Sequence, residues 1–340
     1  PTDVLALARS RLIPWSGKLR AATEPFRPRT SLEPDSLGAF VRARFGKDVH
    51  LRLVDPLVGS IYAADTDHFS LAAVPQIADL AGKSRSILLA GRSMPKPSPT
   101  AGPVFYAPRG GMGELAARTA AAATAAGADL RPHTPVTELL HEELKFLVNG
   151  EGFDGVVLAC PAGAAAQLVA SWLPDTARAL ATIPVADVAM VTLSVPATDW
   201  PDRLRALSGY LVPKPVQQLV TAVSFGSQKW SHWATEGKVV LRVSLGRDGL
   251  PVLHLGDDQL LAAAVDEVGR HLGLDLAPTA SRVTRWAGAF PQYRPHHAQK
   301  VAAIEAGLPD GLALAGACYH GIGVPACINS AGKAAVRLAQ

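Results

Sequence analysis

LALAGACYHGIGVPACINSAGKAA, residues Leu312 to Ala335, combines a short apolar run, a turn with two glycines and the start of a helix. Pro325 suits the first turn of that helix, where its missing N–H group would have no partner in any case. Gly321 and Gly323 let the backbone approach a ligand closely, and the free N–H groups of a helix N-terminus favour an anionic or electron-rich group. The pattern therefore predicts either such a ligand site or an ordinary tight turn before the last helix.

Composition bounds the kind of protein that the chain can form. A chain of 340 residues with 48% hydrophobic residues can bury a large core and is long enough for two or three domains. The formal net charge is +4, and no basic run alternates with aromatic residues, which argues against nucleic acid as a partner. The small positive surplus suits a polycarboxylate substrate or an anionic membrane surface, and it is equally compatible with ordinary surface charge.

Cysteines, histidines and serines give no pattern of a metal or hydrolytic site. Cys160, Cys318 and Cys327 are odd in number and lack CxxC spacing, so we expect reduced thiols in a cytoplasmic protein. No HExxH or paired-carboxylate spacing accompanies the histidines, and no metal site is predicted. No GxSxG elbow or Ser-His-Asp order is present, so nucleophilic hydrolysis has no support.

The alternation of helical and strand patterns predicts the α/β class, with α+β elements. Residues 1–97 read mostly helical, with one helix over Val49 to Leu57 and another from Asp67 or Ser70 to Leu80. Ser36 is the predicted N-cap of a further helix that ends at Gly46. The first domain is therefore expected to be helical.

The rest of the chain divides into three further segments. Residues 101–165 read as an alanine-rich helix, a strand-like stretch over 129–140 and a hairpin that leads to a buried strand. Residues 166–288 alternate strands with one long helix, Asp257 to Leu272, and predict a mixed sheet with a helix across it. Residues 289–340 hold the final strand, turn and helix.

Five motifs follow one another along the chain. They are Ser36-x3-Phe40-Val41-x2-Arg44-Phe45-Gly46, Val54-x-Pro56-Leu57-Val58-Gly59-x-Ile61-Tyr62-Ala63-x-Asp65, Gly110-Gly111-Met112, Trp286-x4-Pro291-Gln292-Tyr293 and Tyr319-x-Gly321-x-Gly323-Val324-Pro325-x-Cys327-Ile328. In this order they resemble the protoporphyrinogen and coproporphyrinogen oxidases, FAD-dependent enzymes of haem synthesis in the amine-oxidase superfamily. The resemblance spans most of the chain.

The resemblance implies FAD as the cofactor. The residues at positions that contact it in the family are Val136, Trp286, Tyr319, Gly321, Ile322, Gly323, Val324 and Cys327. In the family the valine backbone touches the adenine, the tryptophan lies against the flavin, and the C-terminal helix points its N-terminus at the isoalloxazine. The implied architecture is an incomplete FAD-binding domain from 101–165 and 289–340, a mixed-sheet substrate domain at 166–288, and a helical, membrane-associating domain at 1–97.

The activity implied is oxidation of a porphyrinogen, either coproporphyrinogen III to coproporphyrin III or protoporphyrinogen IX to protoporphyrin IX. The flavin supplies the hydride chemistry, and the protein supplies an apolar cavity with cations for the propionates. No catalytic side chain is therefore assigned. Oxygen is the expected electron acceptor, and a ferrochelatase is an expected partner. The protein is expected to be cytoplasmic, with peripheral contact to the inner face of the membrane. Two alternatives stay open: another flavin amine oxidase, or a non-catalytic porphyrin-binding protein.

The start of the chain departs from the family pattern. No strand followed by GxGxxG opens it, although the family carries its dinucleotide-binding βαβ unit there. Gly111-x-Gly113-x2-Ala116 and Gly321-x-Gly323-x2-Ala326 match a relaxed form of the motif, but neither continues into a βαβ unit. We therefore expect the 340 residues to purify without FAD and a chain extended upstream to bind it.

Overall fold

The structure is a computed structural model that describes residues 9–93, 106–142 and 145–339. Residues 9–93 form a helical region, as predicted, whose core packs Leu37 and Phe40 against Val58. Its helices are α1 (Trp15–Ala22), α2 (Leu37–Phe45), α3 (Lys47–Val49), α4 (Asp55–Tyr62), α5 (Pro75–Lys83) and α6 (Ile87–Ser93). A π-helical turn, His50–Val54, joins α3 to α4.

The N-terminal cap of α2 is confirmed. The Ala39 N–H donates to Ser36 Oγ at 3.2 Å, which satisfies one of the unpaired N–H groups of the first turn. Gly46 follows the last residue of this helix with φ of 92°, a conformation that favours glycine. The helix predicted over Val49 to Leu57 is present but longer, since α4 continues to Tyr62.

The helix predicted from Asp67 or Ser70 starts later, at Pro75. Ser70 is held in an irregular segment by two long-range hydrogen bonds. Its N–H donates to the Tyr293 carbonyl at 2.7 Å, and its hydroxyl donates to Asp35 Oδ2 at 2.6 Å. Long-range contacts of this kind override a local helical pattern.

A five-stranded sheet forms the second region. The strands and helices of this region are β5 (Val185–Pro196), α10 (Asp202–Arg205), β6 (Gly209–Leu211), β7 (Val220–Phe225), α11 (Gly226–Lys229), β8 (Lys238–Leu245), α12 (Asp257–Leu272) and β9 (Ala280–Pro291). The strand order in the sheet is β6-β7-β8-β5-β9. The predicted long helix is confirmed as α12, which buries Leu260 and Ala264 in the same core as Leu193 and Leu241. All pairings are antiparallel, so the sheet is not the mixed one predicted. The connections between β6, β7 and β8 contain at most the four-residue α11, and no long crossover helix is there to make neighbouring strands parallel.

The third region combines two distant parts of the chain. Its elements are α7 (Met112–Ala125), β1 (Leu139–Glu142), β2 (Lys145–Val148), β3 (Glu151–Phe153), β4 (Val156–Leu158), α8 (Ala162–Val169), α9 (Pro174–Ala181), α13 (His297–Ala306), β10 (Leu312–Leu314) and α14 (Val324–Leu338). β1, β2 and β3 form a small antiparallel sheet, and β4 pairs with β10 in parallel. Leu158, Leu180, Val301 and Leu314 share one buried core, which fixes the position of the turn after β10.

A buried ionic cluster, here called the anchor, joins the helical region to the sheet region through Asp55, Thr66, Lys214 and Arg247. Asp55 is fully buried, and its Oδ2 accepts a hydrogen bond from Arg247 Nη1 at 2.8 Å. Its Oδ1 accepts another from the Thr66 hydroxyl at 2.6 Å, and Lys214 Nζ lies 3.9 Å from the same oxygen. The anchor therefore fixes α4 against the sheet region.

His50 makes the stability of this contact depend on pH. It is fully buried with Nε2 2.8 Å from Thr66 Oγ1, and its burial, together with the nearby Arg42 cation, lowers its pKa from 6.5 to about 4. The unfolded chain takes up a proton below pH 6.5 that the folded chain resists, so stability is full above that pH. We expect the free energy of unfolding to fall by about 3 kcal/mol as the pH drops through this window. Urea unfolding at a series of pH values measures the fall, and an identical slope in His50→Gln would contradict it.

Candidate functional site

The turn between β10 and α14 is the first part of the candidate site. α14 starts at Val324, within two residues of Pro325 as predicted, with Gly323 as its N-cap. The first N–H groups of this helix have no intrahelical partner, as in any helix, and no side chain caps them. Gly323 and Val324 are exposed, and Gly321 lines a pocket of about 260 Å³. The turn can therefore present N–H groups and the positive end of a helix to an electron-rich ligand.

The two glycines of the turn have different requirements. Gly321 has φ of 128°, and a Cβ at this position would lie 2.8 Å from the Cβ of Ala326, so the backbone itself demands glycine. Gly323 has an ordinary φ of −74°, and its Cβ would meet only Pro325 Cδ, at 3.7 Å. The backbone and the neighbouring atoms therefore leave room for a side chain at 323, whereas they exclude one at 321.

Tyr293, from the fourth sequence motif, clamps the turn on both sides. Its hydroxyl donates to the Ala317 carbonyl at 2.7 Å and accepts from the Gly321 N–H at 2.7 Å. Its ring stacks on His297 with the centroids 3.9 Å apart. Burial raises the pKa of Tyr293, so the phenol stays neutral and keeps its donor. The clamp holds residues 317 to 321 in one geometry.

Removing the Tyr293 hydroxyl should loosen the turn. In Tyr293→Phe the ring can still stack on His297, but the Ala317 carbonyl and the Gly321 N–H lose their shared partner. We expect a loss of about 1–3 kcal/mol in the free energy of unfolding, as for other buried groups left unpaired. Hydrogen exchange at the Gly321 amide should accelerate, and unchanged protection at that amide would argue against the clamp.

The structure gathers most of the predicted cofactor residues into this turn. Tyr319 is buried, and its hydroxyl has no hydrogen-bond partner among the described residues. Ile322 is half-buried against the core of the helical region, and Cys327 is half-buried in α14. Trp286 lies on another element, β9, where 48% of its surface is exposed.

Val136 lies in the loop before β1. The strand predicted over 129–140 is wrong for most of its length, because the side chain of Asn149 takes the place of strand pairing. Asn149 Oδ1 accepts from the Thr137 N–H at 3.0 Å, and its Nδ2 donates to the Pro135 carbonyl at 2.9 Å. Within the described residues Val136 itself makes no backbone hydrogen bond, and it is exposed. Its N–H and carbonyl are free to meet a polar ligand such as a purine.

The second part of the candidate site is a cleft of about 720 Å³ between α4 and one face of the five-stranded sheet. Leu57 of α4 contributes to one wall. The other lining residues include Met190, Gly209, Tyr210, Leu211, Ala222, Ser224, Lys229, Trp230, Trp233, Arg242 and Ser244. A cleft of this size with aromatic walls suits a large, flat, mainly apolar ligand.

Both charged residues of the cleft are cations. Lys229 and Arg242 make no ion pair with any residue that the structure describes, and no Asp or Glu is among the described lining residues. Lys229 Nζ lies 5.6 Å from the centroid of the Trp230 ring. Unpaired cations beside aromatic walls favour a ligand that carries carboxylates on an apolar body.

Sequence reasoning did not identify these cleft residues. β8 alternates strictly, with Leu241 and Val243 in the core and Arg242 and Ser244 on the cleft face. The period of two could have placed Arg242 on the face opposite the core. It could not show that this face is left open, since that depends on where α4 and α12 lie.

Two classes of feature are absent from 9–93, 106–142 and 145–339. No helix there is long and apolar enough to cross a membrane. No group of three His, Cys, Asp or Glu residues there is placed to hold a metal ion.

Comparison with known proteins relates this chain to oxidases. No protein-family model matches it. It is 37% identical over 333 residues to the coproporphyrinogen III oxidase of Mycobacterium leprae, covering 93% of this chain and 70% of that protein. A solved structure from Exiguobacterium sp. 255-15, named a protoporphyrinogen oxidase, superposes with a TM-score of 0.83 at 27% identity, covering 100% of this chain and 76% of that one. Cyclohexylamine oxidase from Brevibacterium oxydans shares the fold, with a TM-score of 0.58, 18% identity and coverage of 96% and 74%.

Proposed function

Because this chain belongs to the coproporphyrinogen III oxidase family, we propose that it oxidises a porphyrinogen to the porphyrin with FAD, as a step of haem biosynthesis. Coproporphyrinogen III is the preferred substrate and protoporphyrinogen IX the second candidate. The observation that carries the proposal is the cleft, which joins aromatic walls to unpaired cations without an acid. A porphyrinogen matches this lining, since it is a large tetrapyrrole ring with carboxylates at its edge.

The residues of the glycine turn and of the loop before β1 fit FAD. The free backbone groups of Val136 would hold the adenine, and the N-terminus of α14 with Gly323 would hold the flavin ring. Bound FAD would supply the chemistry, acceptance of a hydride from a bridge carbon of the tetrapyrrole. Trp230 and Trp233 would enclose the ring and exclude water, while Lys229 and Arg242 would bind propionates.

The same lining argues against an amine substrate. An aliphatic amine is a cation at neutral pH, and the cleft offers it cations and no carboxylate among the described lining residues. The fold shared with cyclohexylamine oxidase therefore supports a common scaffold rather than a common substrate. A non-catalytic porphyrin-binding protein would have the same cleft, so turnover has to separate it from an enzyme.

The experiment is porphyrin fluorescence on incubation with coproporphyrinogen III or protoporphyrinogen IX, with and without added FAD, beside a panel of amines. We expect FAD-dependent formation of the fluorescent porphyrin, with oxygen consumed and hydrogen peroxide formed. Turnover of an amine and of neither porphyrinogen would make the protein an amine oxidase. Tight porphyrin binding without turnover, in the chain extended upstream and loaded with FAD, would leave only a binding function.

We further propose that the protein works in the cytoplasm, contacts the inner face of the membrane and passes its product to a ferrochelatase. Supporting the membrane contact, Trp15 and Leu19 of α1 are 72% and 64% exposed, and Phe26 is 87% exposed. Lys18 lies beside them with its Nζ 5.4 Å from the Trp15 ring, a combination typical of interfacial helices. Flotation with anionic phospholipid vesicles tests this contact, and equal flotation of a Trp15→Ser/Phe26→Ser variant would contradict it.

A further inference from the structure

Two arginines lie in one row across the sheet. Thr192 on β5 pairs with Arg242 on β8 and, on its other side, with Arg282 on β9. Residues directly opposite one another in a sheet point to the same face, so all three share the face that lines the cleft. Arg242 and Arg282 are therefore two strand spacings apart, about 10 Å between their Cα atoms.

The two arginines are unpaired, unlike a neighbour on the opposite face. Within the described residues, neither Arg242 nor Arg282 has an ion pair or a side-chain hydrogen bond. Arg285, three residues along β9, turns towards α12, where Nη2 lies 2.6 Å from Asp257 Oδ1 and 2.6 Å from the Leu255 carbonyl. Arg285, on the face that packs against α12, therefore has hydrogen-bond partners. Arg242 and Arg282, on the cleft face, have none for their side chains within the described residues.

Like charges on one face with no acid between them are unfavourable until an anion arrives. Thr192 separates them and adds only a hydroxyl. Lys229 and Arg242 line the cleft, and Arg282 lies on the same face of the sheet outside the residues that line it. A ligand that fills the cleft and extends along this face can therefore meet three cations. A guanidinium binds a carboxylate in a bidentate manner, so each arginine of the row can take one carboxylate.

We propose that the Arg242–Arg282 row is a specificity device that selects porphyrinogens with four carboxylates over those with two. The proposal rests on the proposed function. Coproporphyrinogen carries four propionates, whereas protoporphyrinogen carries two propionates and two uncharged vinyl groups. Only the tetracarboxylate can occupy the whole row while Lys229 also holds a propionate. With the dicarboxylate, at least one cation of the cleft face stays unpaired.

The test compares Arg242→Gln, Arg282→Gln and the double variant with the parent chain. Coproporphyrin III and protoporphyrin IX are stable probes. Quenching of the protein's tryptophan fluorescence, to which Trp230 and Trp233 of the cleft contribute, reports their binding without turnover. We expect each single change to weaken coproporphyrin binding about tenfold, the effect of losing one charged hydrogen bond, and protoporphyrin binding by about twofold or less. In turnover, KM for coproporphyrinogen should rise while kcat stays close to the parent value.

Arg178→Gln is the matched control, because it removes the same charge from an exposed position on α9 outside the cleft. It should change neither affinity. If the variants weaken the binding of both porphyrins equally, or of neither, the proposed selectivity of the row is wrong, even where the parent chain oxidises porphyrinogens as proposed. If the parent chain binds both porphyrins with the expected selectivity but oxidises neither, the proposed function fails and the row stands as a carboxylate-binding site.

Discussion

Replacing Asp55 with alanine is expected to lower the free energy of unfolding by about 3–5 kcal/mol, the range found when one partner of a buried ion pair is removed. The change leaves the guanidinium of Arg247 buried, with only 4% of its side chain exposed, and removes the acceptor of the Thr66 hydroxyl. The loss exceeds that of an ordinary ion pair because water cannot replace the missing carboxylate. Urea unfolding of Asp55→Ala beside the parent chain measures it.

A surface pair supplies the control for this prediction. Asp266 lies 2.7 Å from Arg270 on α12, but 73% of its side chain is exposed, so Asp266→Ala should cost roughly 0.5 kcal/mol or less. The double variant Asp55→Ala/Arg247→Ala should lose less than the sum of its single changes, since no charge is then left buried alone. Additive losses would show that the anchor does not act as a pair.

Valine at Gly323 should abolish tight FAD binding without harming the fold. The backbone there has an ordinary φ, and a Cβ would meet only Pro325 Cδ at 3.7 Å, so the chain accommodates a side chain. A branched side chain would instead occupy the space in front of the first turn of α14, where the flavin ring is expected. We expect FAD affinity to fall about 30- to 100-fold, equivalent to an overpacking cost of about 2–3 kcal/mol, with the melting temperature of the apoprotein unchanged.

Gly321→Val gives the opposite pattern and serves as the comparison. At φ of 128°, with a Cβ only 2.8 Å from Ala326, valine should destabilise the apoprotein itself. Titration with FAD and thermal unfolding, on the chain extended upstream if the 340 residues bind too weakly, separate the two variants. A destabilised Gly323→Val apoprotein, or one with undiminished FAD affinity, would remove the argument for a ligand at this position.

The sequence predicted those elements whose signals are local. The cap at Ser36, the helix Asp257–Leu272 and the start of α14 were recognisable because capping residues, apolar spacing and proline act within a few positions. The strand expected over 129–140 failed because the side chain of Asn149 holds that backbone from a distance. Non-local hydrogen bonds of this kind leave no periodic pattern to read.

One part of the candidate site could likewise be predicted from local sequence signals, and the other could not. The glycine turn has a motif, and the residues that form it are contiguous, so the sequence could indicate it. The cleft is assembled from α4 and from residues 190–244 of the sheet region, which lie more than a hundred positions further along the chain, and the sequence analysis did not identify its cations. Arg242 and Arg247 are five positions apart, yet the first faces the open cleft and the second is buried in the anchor. Arg242 lies within β8, whereas Arg247 follows the turn at Gly246 and reaches Asp55 of α4.

That separation has a kinetic consequence. The buried Asp55 and Arg247 charges of the anchor are shielded from dissolved ions, whereas the cations of the cleft face act through water on any ligand that approaches. Polyanionic ligands should therefore be steered towards the cleft before they touch it, with association rates that decline as ionic strength rises. The stability of the contact between the helical and sheet regions should change little over the same range of ionic strength. Salt would thus slow the association of the protein with its ligand without weakening the contact between the two regions that form the cleft.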